Sequence, residues 1–145
     1  MLEMECSCVQ KKHTAPVKTV EVGEHAVEKI GEILSEYKSI FLVADENTYQ
    51  AAGKRTEALL KEKGILSRTF LLEAGALPTD KNVGRVLIEA GRDEDIYDIN
   101  HFSNNPDFIL AVGSGSVNDI CRMVSYRLGI EYGILGTAPS MDGFA

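Results

Sequence analysis

A glycine turn set between two apolar runs is the place where this sequence could do chemistry. Gly113-Ser114-Gly115-Ser116 follows Phe108-Ile109-Leu110-Ala111-Val112 and precedes Val117, Ile120, Cys121, Val124 and Leu128, which recur at helical offsets. A strand-to-helix turn without bulky side chains lets backbone N–H groups and the helix N-terminus close on a phosphate oxygen. Gly-Ser-Gly-Ser is also linker composition, and Ser116 with Asp119 three residues on fits a capping box that needs no ligand. Asn118 stands where the common dinucleotide fingerprint has its third glycine.

Two further stretches lie at the ends of apolar runs. Asp45 directly follows Ile40-Phe41-Leu42-Val43-Ala44, a position from which a carboxylate can accept hydrogen bonds from an adenosine ribose. There it would repel a 2′-phosphate and favour NAD over NADP; alternatively it only turns the chain toward a helix that Thr48 caps. Thr137-Ala138-Pro139-Ser140, after the run from Tyr132 to Leu135, offers hydroxyls and N–H groups across the same edge, or forms an ordinary proline turn. Cys6-Ser7-Cys8 with His13 lacks a usual zinc spacing and a second pair. Cys121 lies on an apolar stripe and reads as a small core residue.

The elements that must position these residues alternate along the chain. Val17 to Val22 reads as a short edge strand and Glu24 to Tyr37 as a helix with Val27, Ile30, Leu34 and Tyr37 on one face. Ile40 to Ala44 and Phe108 to Val112 have the unbroken hydrophobicity of strands buried on both faces of a parallel sheet. A helix to Lys63, a strand from Ile65 to Leu72, a helix opened by Pro78 and Thr79 and stopped by Gly91, and a helix ended by Gly129 complete the order. Arg92 to Asp107 reads as connection. The alternation predicts an α/β fold, a Rossmann-like, doubly wound, mostly parallel sheet with right-handed crossovers. In such sheets ligands sit at the carboxyl edge.

Composition narrows the function. At 145 residues there is room for one domain, taken as 16–145 behind a frayed tail over 1–15. With 44% hydrophobic and 26% charged residues and no apolar run of the ~20 residues a membrane span needs, a soluble protein is expected. The N-terminus has no signal-peptide core, so the expected address is cytoplasmic. The net charge is −7 and the 15 basic residues are dispersed, which excludes the basic footprint of a nucleic-acid binder. An anionic cofactor would then be held by local backbone dipoles. A signalling receiver domain needs an acidic cluster at neighbouring strand ends, and only Asp45-Glu46 is available.

Taken together, GSGSVNDICR and TAPSMDG resemble the sn-glycerol-1-phosphate dehydrogenase family, within the iron-containing alcohol dehydrogenase and dehydroquinate synthase superfamily. The superfamily pattern is a Gly-Gly-Gly-Ser turn, Asp three residues later and Lys three after that. Gly113-Ser114-Gly115-Ser116, Asp119 and Arg122 take those places here, with Ser for the middle Gly and Arg for Lys. The likeness runs from about Val17 to Ala145. It implies that Gly113, Gly115, Ser116, Val117, Asn118 and Asp119, with Thr137, Ala138, Pro139 and Ser140, hold NAD or NADP, and that Asp142 binds the polyol substrate. It implies a reaction of phospholipid metabolism between dihydroxyacetone phosphate and sn-glycerol 1-phosphate, and a homo-oligomer at full length. A divalent metal, Zn or Ni, would be bound by an Asp and two His of a C-terminal all-helical domain, so no catalytic or metal-ligating residue is expected within this chain. Glycerol dehydrogenase or a dehydroquinate synthase-like relative, and a non-catalytic nucleotide-binding module, are the alternatives.

Overall fold

A computed structural model describes residues 2–6, 11–15, 17–91 and 105–138. In chain order the elements are strands β1 (Leu2–Cys6) and β2 (Lys11–Ala15), helix α1 (Ala26–Ile33), strand β3 (Ile40–Asp45), helix α2 (Glu46–Thr48), a π-helical turn (Tyr49–Gly53) and helix α3 (Lys54–Glu62). Then follow β4 (Leu66–Leu72), α4 (Asp80–Ala90), β5 (Phe108–Gly113), α5 (Gly115–Leu128) and β6 (Glu131–Gly136). The four strands from β3 on form a parallel sheet of order β4-β3-β5-β6.

Every residue of β3 and β5 is buried, because alternate side chains feed two separate cores. Phe41, Val43, Ile109 and Ala111 pack on one face with Val86 and Ala90 of α4 and with Val117, Ile120, Cys121 and Val124 of α5. Ile40, Leu42, Ala44, Phe108, Leu110 and Val112 pack on the other with Ile30 and Leu34 and with Leu60 of α3. The helix that leaves β3 therefore covers one face, and the helix that leaves β5 covers the opposite one. The strand order reverses direction between these two adjacent strands, so the doubly wound fold has its switch point there.

Several boundaries differ from the sequence expectation. Among the described residues the parallel sheet has four strands, and Val17 to Val22 pairs with none of them; Val20 and Val22 are 64% and 88% exposed, and the segment is held by the ion pairs Lys18–Glu131 and Lys29–Glu21. In place of the tail expected over 1–15, residues 2–6 and 11–15 are strands β1 and β2, paired antiparallel from Leu2 with Ala15 through Cys6 with Lys11. Leu128 is 39% exposed and drops off the α5 stripe, since Gly129 turns left-handed (φ 68°) and ends the helix beside it. Cys8, most of the 92–107 connection and residues 139–145 lie outside the described residues.

Candidate functional site

Asp45, Gly113 and Gly136 end three adjacent strands, so the residues singled out at strand ends meet on one edge of the sheet. The ladder between β3 and β5 runs to Ala44 and Val112, and that between β5 and β6 runs to Gly113 and Gly136. Beyond it the Thr137 N–H donates to the Gly113 carbonyl at 3.0 Å, which fixes the exit of β6 to the glycine turn.

The turn itself is built for close packing. A Cβ on Gly113 would lie 2.7 Å from Cβ and Cγ2 of Val117, so the glycine lets α5 start immediately over the end of β5. The capping box expected at Ser116 is not formed. The N-cap is Ser114, in extended conformation and with no side-chain cap, so its hydroxyl accepts from none of the first-turn N–H groups, Gly115 to Val117. Asp119, on the next turn, instead pairs with Arg122 at 3.8 Å. Asn118 is fully buried and its N–H closes on the Ser114 carbonyl at 3.1 Å.

Arg122 lies one turn beyond Asn118 on α5. It stands beside Tyr132, whose phenol is pushed up by burial while the guanidinium opposes the shift. The Cys121 thiol is buried and pushed well up by desolvation, so it is an inert core group, as expected.

The helix cap expected at Thr48 falls instead on the residue that ends β3. Asp45 is the N-cap: its Oδ1 accepts from the N–H groups of Asn47 at 2.9 Å and Thr48 at 2.8 Å. Thr48 completes a capping box by accepting from the Asp45 N–H at 3.0 Å, and its hydroxyl donates across the sheet to the Val112 carbonyl at 2.8 Å. The sequence carried half of this signal, since Asp-x-x-Thr has capping-box spacing; the contact to Val112 required the strand order. Pro139, Ser140 and Asp142 lie outside the described residues.

A groove of about 970 Å³ runs beside β6, from Lys18 and Glu131 to Thr137 and Ala138, and reaches the carboxyl edge at Gly136, Thr137 and Ala138. The glycine turn is not part of its wall, and the convergence of backbone donors is the better guide to chemistry here than concavity. Among the described residues no group of three His, Cys, Asp or Glu side chains could hold a metal ion. No helix among them is long and apolar enough to cross a membrane.

The sequence pattern of the iron-containing alcohol dehydrogenases matches residues 21–145. The chain belongs to that family. It is 32% identical over 97% of its length to a glycerol-1-phosphate dehydrogenase [NAD(P)+] of Halalkalibacterium halodurans, of which it covers 34%. A protein of the same name from Bacillus licheniformis is 31% identical over 96% of this chain, which covers 33% of it. The chain thus spans about a third of the length of these relatives. Its fold is that of glycerol dehydrogenase from Schizosaccharomyces pombe (TM-score 0.64, 17% identity, 82% of this chain and 27% of that one). Maleylacetate reductase from Agrobacterium tumefaciens shares it too (TM-score 0.61, 16% identity, 87% of this chain and 32% of that one).

Proposed function

We propose that this chain is the dinucleotide-binding part of an NAD(P)-dependent dehydrogenase that interconverts dihydroxyacetone phosphate and sn-glycerol 1-phosphate. The observation that carries the reading is the start of α5. It has no side-chain cap, lies at the switch point of a doubly wound sheet, and is tied to the exit of β6 by the Thr137 N–H. Backbone donors at such a place suit a pyrophosphate. The names of the relatives supply the substrate and the cofactor class.

In this reading residues 16–145 form the cofactor domain. Gly113, Gly115, Ser116 and Val117 receive the pyrophosphate, with Asn118 and Asp119 on the ribose side and Thr137, Ala138, Pro139 and Ser140 closing from the second loop. Asp45 keeps its cap through Oδ1 and also faces the adenosine ribose, and Asp142 faces the polyol. When bound, the dinucleotide donates or accepts a hydride; the chain's own residues orient it and shield its phosphates. A divalent metal, Zn or Ni, would be held outside the described residues, and the whole protein would be a cytoplasmic homo-oligomer.

Calorimetry with NADH tests the cofactor site directly. The chain should bind NADH weakly and Gly115→Val should abolish the binding, because a β-branched side chain blocks backbone approach to the pyrophosphate. Equal affinity in both proteins would remove the glycine turn from the site.

A further inference from the structure

We infer that Thr48 is a positioning residue for the dinucleotide site, acting through the Val112 carbonyl to set the glycine turn against the end of β3. The inference rests on the cofactor reading above and adds a residue that reading does not contain. Thr48 is buried, and its hydroxyl has one proton to give. Two carbonyls lie within reach, Val112 at 2.8 Å and Asp45 at 3.3 Å. The shorter contact takes the proton, and the oxygen is left to accept the Asp45 N–H at 3.0 Å.

This hydroxyl therefore continues the β3–β5 pairing one step past the point where the backbone ladder ends, at Ala44 and Val112. Val112 immediately precedes Gly113, whose own carbonyl is taken by Thr137. Three strand ends are joined in sequence: the cap of α2 to Val112 through a side chain, and Gly113 to the β6 exit through the backbone. Without the hydroxyl, a buried carbonyl and the Asp45 N–H both lose a partner, and the crevice between β3 and β5 can relax. Thr48 would touch no cofactor atom; its effect is on where the donors of Gly113 to Val117 point.

The test compares Thr48→Val, which keeps the branched shape and removes the hydroxyl, with Thr48→Ser, which restores it. Amide chemical shifts and hydrogen exchange of Gly113 to Val117 are read without ligand, and NADH affinity by calorimetry. Thr48→Val should perturb these amides and weaken NADH by about 3- to 10-fold, the worth of one or two buried hydrogen bonds, while Thr48→Ser returns both toward wild type. Wild-type amides and affinity in a folded Thr48→Val protein would overturn the inference, as would a Ser variant no better than Val. The two readings fail separately. Absent NADH binding by wild type defeats the cofactor reading, and the ligand-free amides still decide whether Thr48 sets the turn.

Discussion

The two edges of the sheet are closed by different chemistry. At the amino edge side chains settle the loose backbone and one another. Asp107 accepts from the N–H groups of Lys38 at 2.8 Å and Ser39 at 3.0 Å, and Glu131 accepts from Lys18 at 2.7 Å and from the Tyr37 hydroxyl. At the carboxyl edge β3 is capped in the same self-sufficient way by Asp45 and Thr48, whereas α5 begins with no side-chain cap. An edge whose donors are already matched gains nothing from a ligand. Of the two helices that leave the adjacent strands β3 and β5, the one after β5 starts without a side-chain cap, and the proposed anion site lies there.

The largest expected effect comes from crowding that turn. Gly113→Ala places a methyl 2.7 Å from Val117 and should cost about 1–3 kcal/mol of stability, measured by urea unfolding. The double variant Gly113→Ala, Val117→Ala should recover part of that loss, because the opposing side chain is gone. If the single variant unfolds at the wild-type midpoint, close packing is not what the glycine provides.

The next three variants set the edges against each other. Asp45→Ala should cost about 1 kcal/mol as a lost N-cap, and Asp45→Asn far less, since Asn caps about as well. Both remove the carboxylate charge, so both should narrow the gap between NAD and NADP affinities if Asp45 faces the ribose; an unchanged gap leaves Asp45 as a cap alone. Asp107→Ala should cost a similar amount of stability, about 1 kcal/mol for two lost backbone contacts, with dinucleotide affinity untouched. A fall in affinity there would erase the distinction between the edges.

The smallest effect is a pH dependence at the amino edge. Hydrogen bonds from Lys18 and Tyr37 hold the Glu131 carboxyl below its usual range, so its contribution is present above the ordinary carboxylate value, ~4.3, and fades as pH falls through the lowered one. Burial, then the bond to Glu131, pushes the Tyr37 phenol up to about 12. The bonds to Glu131 and Tyr37 likewise raise Lys18, whose contribution persists below the ordinary lysine value, ~10.4, and fades as pH rises through the raised one. These groups are largely exposed and screened. Amide protection in residues 17–22, taken relative to the intrinsic exchange rate at each pH, should fall modestly on acidification in the wild type, and Glu131→Gln should show the lower protection at neutral pH already.

Much of the fold was legible because its signals are local. The apolar runs of β3 and β5, the Thr79 cap of α4 and the Gly129 stop of α5 each depend on a few consecutive residues. Val17 to Val22 misled because alternation marks a strand only where a partner ladder exists, while Leu2, Met4 and Cys6 alternate with Glu3 and Glu5 and do pair. Caps were displaced, from Thr48 to Asp45 and from Ser116 to Ser114, since the N-cap is fixed by extended backbone angles at one residue and several polar neighbours could have filled it. At the candidate site the glycine turn was visible in sequence. The bonds from Thr48 to Val112 and from Thr137 to Gly113 were not, because they depend on which strands lie side by side.

The Thr48 contact also bears on when the binding edge comes into being as the protein folds. Thr48 and Val112 are 64 positions apart, and β3 meets β5 only after β4 and α4 have intervened. The β3–β4 pair can form early from neighbouring sequence, but closing the longer loop carries a larger entropy cost and is expected to come later. A nascent chain that stops short of β5 has a capped strand end and no crevice. The proposed dinucleotide edge is therefore expected to be a late product of folding, and affinity for the cofactor would report that the β3–β5 pairing has been made.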